Sequence, residues 1–374
     1  MKFLLFALLP LAAFAADFET GPVMPSDGAL FHRNTIPQVA RLADGRLMTV
    51  SGVTSKTGTP MARIVAGYSS DGGRSWSKPH VLYEEKQKDR SVGDPNMLVD
   101  GKFVFVYWTQ TTAPNTIKKA WTWCVKSTDN GGTWSEPVEI AIPRQYTPGK
   151  QHNALRLADG SYAMGISWDQ WGERGLNPRT EGEMNLSSGM LLSKDGLNWT
   201  LYGDLHVFLE KVTPGSTNGL CEPSIVQLAD GEIFMLLRSG SSHHYESRSR
   251  DGGVTWSKPV PSALVGHNTP TALWRLENSE NDIVAVWNNS PINRFPLTAA
   301  LSRDGGRTWT RPRTLAHGNW QYPNSPAKTL QVSYPGLTQT TDGTIVAVWQ
   351  AQREDGGRDI RYARFTQQWL LDSK

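Results

Sequence analysis

The phrase SRDGGRTW at residues 302–309 recurs in near-copy at four other places: SSDGGRSW from Ser69, STDNGGTW from Ser127, a shortened SKDGLNW from Ser193 and SRDGGVTW from Ser249. Its aspartates, Asp71, Asp129, Asp195, Asp251 and Asp304, are 58, 66, 56 and 53 residues apart. A unit of that length cannot bury both of its faces alone, so each copy must pack on its neighbours, as in a solenoid or a propeller. Each phrase follows a short segment (ARIVAGYS, WTWCVKS, GMLLS, HYESRS, LTAALS). Period-two alternation running into a Gly-rich turn reads as a strand and its hairpin.

A second repeat precedes each phrase: VARLADGRLMTV, MLVDGKFVFVYW, LRLADGSYAMGISW, IVQLADGEIFMLLR, LWRLENSENDIVAVW and LTQTTDGTIVAVW. Each reads as a strand, a tight turn and a returning strand. There are six of these against five phrases, and the sixth leads into RDIRYARF, a third strand with no phrase after it. Six units of about four strands predict an all-β fold, a six-bladed β-propeller of four-stranded antiparallel blades. A sandwich or barrel does not accommodate two dozen strands. The last unit lacks an outer strand, and the segment around residues 17–23 is expected to supply it and close the ring.

The phrase S-x-D-x-G-x-T/S-W is the Asp box, and six blades with repeated boxes resemble the sialidase (neuraminidase) superfamily over nearly the whole chain. Box repetition bears on fold, not activity. Asp and Ser side chains satisfy local backbone groups, Gly takes positive φ, and the aromatic ring packs under the hairpin. Five equivalent aspartates do not make one reaction centre, which needs unlike groups at one point.

Composition narrows the function classes. With 38% hydrophobic and 20% charged residues the chain folds, and a net charge of +3 with no Lys/Arg run argues against nucleic-acid binding. The N-terminal MKFLLFALLPLAAFA has a lysine, an apolar run and small residues before a cleavage site, the layout of a signal peptide. Residues 1–16 are therefore set apart, 17–374 form a single domain, and a secreted or periplasmic location is expected. No later segment reads as a membrane span. Cys124 and Cys221 are expected as separate buried thiols. The eight histidines show no metal-ligand spacing, so neither metal nor cofactor is expected. The resemblance implies a glycan substrate with an acidic sugar, and a monomer is expected.

In a propeller the innermost strand of each blade starts at the channel mouth. Pro37, Pro95, Pro223 and Pro335 stand at that start, with Pro270 placed there in the fifth unit and His152 in the third. Proline suits a first strand position, where no ladder donor is needed. The residues just before are Ile36, Asp94, Gln151, Glu222, Thr269 and Tyr334, a chemically diverse set. Arg238 follows Glu222 by sixteen residues, and a hairpin returns it beside Glu222, as an ordinary ion pair or as part of a site.

The resemblance implies roles. Tyr334 would be the nucleophile and Glu222 its base. Arg238 and Arg294 would grip the substrate carboxylate. A neutral phenol avoids the repulsion that an anionic nucleophile meets beside that carboxylate. Two departures stand out. Thr35 occupies the place of the arginine that precedes Ile-Pro in the family, leaving Arg33 as the nearest guanidinium. The first-blade loop SGVTSKTGTPMARIV holds no Asp or Glu, whereas the family carries its general acid there. Asp94, His152, Asp169 and His267 are the replacement candidates, and Trp168 and Trp171, on a loop over the mouth, are candidates for stacking on a sugar. The leading expectation is a sialidase-like glycoside hydrolase, with Asp94 as acid and Arg33, His152 and His267 at the substrate. The alternatives are a uronate-directed polysaccharide lyase and a non-catalytic carbohydrate-binding propeller.

Overall fold

The computed structural model describes residues 17–27, 31–56, 62–112, 119–144, 152–170, 184–212, 216–318 and 330–372. Among them are 24 strands and one short helix. After β1 (Phe18–Met24), the strands fall into consecutive antiparallel meanders. The first comprises β2 (Arg33–Arg41), β3 (Leu47–Thr54), β4 (Ala62–Ser69) and β5 (His80–Glu84). The second is β6 (Arg90–Asp100), β7 (Phe103–Thr112), β8 (Ala120–Ser127) and β9 (Val138–Ile140). The third is β10 (Leu155–Arg156), β11 (Tyr162–Asp169), β12 (Asn185–Ser193) and β13 (Thr200–Leu205).

The fourth unit is β14 (Asn218–Gln227), β15 (Ile233–Ser239), β16 (His243–Ser249) and β17 (Val260–Val265). The fifth is β18 (Ala272–Arg275), β19 (Ile283–Asn288), β20 (Leu297–Ser302) and β21 (Arg313–Ala316). The last has three strands of its own, β22 (Val332–Gln339), β23 (Ile345–Gln352) and β24 (Arg358–Phe365), before α1 (Gln367–Leu371). Its fourth strand is β1, antiparallel to β24 from Phe18↔Phe365 to Met24↔Ile360. The two ends of the chain thus share one sheet.

Second strands such as β15 (IFMLLRS) and β19 (IVAVWN) are buried at every residue, because each is covered on both faces. The six largest buried clusters each draw on two neighbouring units. Val50 and Ile64 pack with Val106 and Trp108, and Phe234 and Leu236 with Ala285 and Trp287. One cluster joins the last unit to the first, where Val346, Val348 and Ile360 meet Val39 and Leu47. Each large side chain buried this way contributes about 1.5–3 kcal/mol. A cavity of about 510 Å³ is lined by first strands of five units, through Gln38, Arg156, Ser224, Trp274 and Leu337 among others.

Every box follows the third strand of its unit and is internally saturated. Asp251 accepts from the Ser249 hydroxyl (2.8 Å), the Thr255 amide (2.9 Å) and the Thr255 hydroxyl (2.5 Å), while Trp256 Nε1 donates to the Gly253 carbonyl. The Thr133 amide and hydroxyl hold Asp129 down to about 2 in the same way. Asn130 of the second box accepts from the Ala43 amide at 3.0 Å, beside the β2–β3 turn. The boxes therefore lie at the turn end of the units, away from where the first strands begin. Cys124 and Cys221 are both buried.

Candidate active site

Four of the first strands share one irregularity. Pairing slips between Thr35 and Gln38, Gly93 and Asn96, Cys221 and Ser224, and Ser333 and Gly336. At each slip the residue before proline takes a left-handed backbone: Ile36 (φ 51°), Asp94 (53°), Glu222 (48°) and Tyr334 (59°). Such conformations cost about 1–3 kcal/mol each in non-glycine residues and survive only where the surroundings over-determine them. A bulge also re-aims its side chain out of the pleat's alternation. Proline explains part of the arrangement: it disfavours the right-handed helical region for its predecessor and removes no needed donor.

In the fifth unit the left-handed residue is Asn268 (φ 46°) and not Thr269, which the position of Pro270 had suggested. Asn adopts this region more readily than a β-branched threonine, because its short amide can hydrogen-bond locally. Gln151, the counterpart in the third unit, lies outside the described residues.

These bulges support a chain of hydrogen bonds. Arg294 Nη1 donates to Tyr334 Oη (3.2 Å), and its Nη2 donates to the Asn268 carbonyl (2.9 Å). Asn268 Oδ1 accepts from Arg238 Nε (2.7 Å), and Arg238 Nη1 donates to Glu222 Oε1 (2.5 Å). Cross-strand pairing of Cys221 with Arg238 sets the last contact, since it puts Glu222 next to the returning β15 strand. Glu222, Arg238, Asn268 and Arg294 are buried, and Tyr334 is half-buried. The Arg294 guanidinium also stands over the Tyr334 ring, 5.3 Å from its centroid.

His267 is fully buried beside this chain. Burial, reinforced by the Arg294 and Arg238 guanidiniums, pushes its imidazole down to about 4. Burial alone lowers His152 to about 3. Both rings are therefore neutral at pH 7. Asp94 is buried at the β6 bulge, where Gly93 approaches Gly52 of β3. Asp169 is buried at the end of β11. Arg33 is exposed, with Nε donating to the Gly356 carbonyl at 3.3 Å.

One candidate moves out of the site. Trp168 does not face a sugar: it sits on a second strand covered from both sides and packs in the core with Ile166. Trp171, residues 57–61 of the first-unit loop and residues 171–183 lie outside the described residues. Two contributors were not singled out from sequence. Asn268 bridges the two arginines, and Arg358 opens β24 within the field of Tyr334, Arg33 and Arg294. Among the described residues no three His, Cys, Asp or Glu side chains converge as a metal site, and no helix is long and apolar enough to cross a membrane.

A family model described as a BNR repeat-like domain matches residues 45–348. The chain belongs to the sialidase/BNR-repeat superfamily. Among superfamily relatives, a sialidase of Bacteroides fragilis is 25% identical over 335 residues, covering 77% of this chain and 56% of its own length. The chain thus spans about half the length of that curated relative. A Hadza microbial sialidase superposes with a TM-score of 0.72 at 17% identity, covering 94% of this chain and 69% of that one. The Trypanosoma rangeli sialidase in complex with 2,3-difluorosialic acid, a covalent intermediate, superposes at 0.69 and 13% identity, covering 96% and 60%. At such identities the likeness establishes the sialidase-like all-β fold alone.

Proposed function

We propose that this chain is an exported glycoside hydrolase of sialidase type that releases a terminal acidic sugar from a glycan. Its six meanders form a six-bladed β-propeller, with the first strands innermost and the bulges at the channel mouth. Support for the ring comes from the cores between neighbouring units, the cluster joining last to first, and the cavity lined by first strands. Export rests on the N-terminal apolar run before Ala15.

The observation that carries the reading is the unbroken hydrogen-bond path from Tyr334 through Arg294, Asn268 and Arg238 to Glu222. Tyr334 Oη attacks the anomeric carbon, and Glu222 takes the phenol proton. The guanidinium of Arg294 at 3.2 Å stabilises the developing phenolate. Arg238 and Arg294 hold the sugar carboxylate, whose charge would repel an anionic nucleophile. Asp94 gives its proton to the departing oxygen. Water then displaces the sugar from Tyr334, giving one proton to Asp94, while the departing phenolate takes back its proton from Glu222. Arg33 flanks the site, and neutral His267 and His152 donate to or accept from substrate hydroxyls. A fluorogenic sialoside tests this directly: the native chain releases fluorophore, and release no higher than that of Tyr334→Phe removes the assignment.

Neutral His267 between two arginines also supports a second reading, proton abstraction beside a uronate carboxylate by a lyase. An unsaturated uronate product, seen by its ultraviolet absorbance and lost in His267→Ala or His152→Ala, would select it over hydrolysis.

A further inference from the structure

Arg358 begins β24, and its backbone is held on both sides. Its amide donates to the His32 carbonyl (2.9 Å), and its carbonyl accepts from Asn34 Nδ2 (3.1 Å). It pairs with Arg33 across the single parallel bridge between β2 and β24. The first and last units therefore bring two arginines together at the end of the strands where Tyr334 lies. Arg364 offers a comparison near the far end of the same strand, since its guanidinium meets the Glu19 carboxylate at 3.1 Å. Arg358 has no such partner: among the described residues no carboxylate pairs with it, and its buried Nε has no hydrogen-bond acceptor. The neighbouring Asp359 carboxylate instead accepts from the Ser26 amide (2.7 Å).

Burial disfavours the charge on Arg358, Tyr334 opposes that effect, and Arg33 and Arg294 add to it. A guanidinium keeps its proton at neutral pH whatever the surroundings. Arg358 thus lies in the field of one phenol and two further arginines, and like charges so placed repel until an anion joins them. An Arg fork with an open buried donor fits a planar carboxylate.

We infer that Arg358 binds the carboxylate of the acidic sugar beside Tyr334, so that the last unit supplies both the nucleophile and an anion-binding guanidinium. This rests on the hydrolase reading above. Arg33, exposed and bonded to Gly356, contributes little to that grip.

Calorimetric titration with DANA, which keeps the ring carboxylate, and with its methyl ester separates the possibilities. The native chain binds DANA more tightly than the ester. Arg358→Gln weakens DANA by about 30-fold, the size of a lost charge-assisted hydrogen bond, and leaves ester affinity unchanged. Arg33→Gln leaves both nearly unchanged. If Arg358→Gln melts early, Arg358→Lys decides, because it keeps the charge and removes the fork: weakened DANA binding at native melting temperature supports the inference, and full binding overturns it. Native affinity for DANA in Arg358→Gln overturns the inference and leaves the hydrolase reading standing. A native chain that binds neither ligand removes both.

Discussion

Arg238 Nη1 lies 2.5 Å from Glu222 Oε1, and the two side chains are 3% and 0% exposed. A pair this deeply buried is held by mutual compensation, and removing one partner strands the other charge. Arg238→Ala is expected to lose about 3–5 kcal/mol of unfolding free energy. The double change Arg238→Met with Glu222→Met should recover much of that loss and remain inactive, because packing is restored and the site chemistry is not. Urea unfolding beside sialoside turnover reads both effects.

Asn268 should behave as a positioning residue. Its carbonyl and amide oxygens hold Arg294 and Arg238 at 2.9 and 2.7 Å. Asn268→Gly and Asn268→Ala both lose the side-chain bond to Arg238 and keep the main-chain contact to Arg294, but only the alanine strains the left-handed backbone. Both variants should raise KM for an acidic substrate by about tenfold through the lost bond to a charged donor. Only the alanine should also lower the melting temperature. Equal KM values for both variants and the native chain would exclude the bridging role.

Acid should weaken the fold through its buried histidines. Burial lowers His152 to about 3, and His244 and His267 to about 4. Between those values and the unfolded value near 6.5, the unfolded chain binds more protons, so stability rises with pH across that window and falls as pH drops through it. Melting temperature is predicted to decline from pH 7 to pH 4.5, and His244→Gln should flatten the profile.

The boxes should be separable from activity. Asp251 is saturated by its own turn at the end away from Tyr334. Asp251→Ala is expected to lower the melting temperature and leave kcat within about twofold, as surface changes away from a site do. A large kcat loss in a folded variant would tie the box to the site.

Most of what could be read from sequence was local, apart from the N-terminal strand that completes the last unit beside β24. The box count marked the third strands, and RDIRYARF coincides with β24. The sixteen-residue interval from Glu222 to Arg238 was legible because one hairpin sets its register. Asn268 was displaced by one position, because the fifth unit keeps its left-handed residue two before the proline, not one. Arg358 gave no signal: Tyr334 stands two strands away in the same unit, and Arg33 reaches it only where the last unit meets the first, more than 300 residues apart. Trp168 looked like a loop aromatic, yet its strand is covered on both faces.

The central claim is that Tyr334 carries the sugar during turnover. Incubation with 2,3-difluorosialic acid followed by peptide mass mapping tests it most directly. The prediction is one glycosyl adduct on the peptide containing Tyr334, absent in Tyr334→Phe. Turnover of a sialoside with the label on Glu222, Asp94 or any other residue, or with no label at Tyr334, would contradict it.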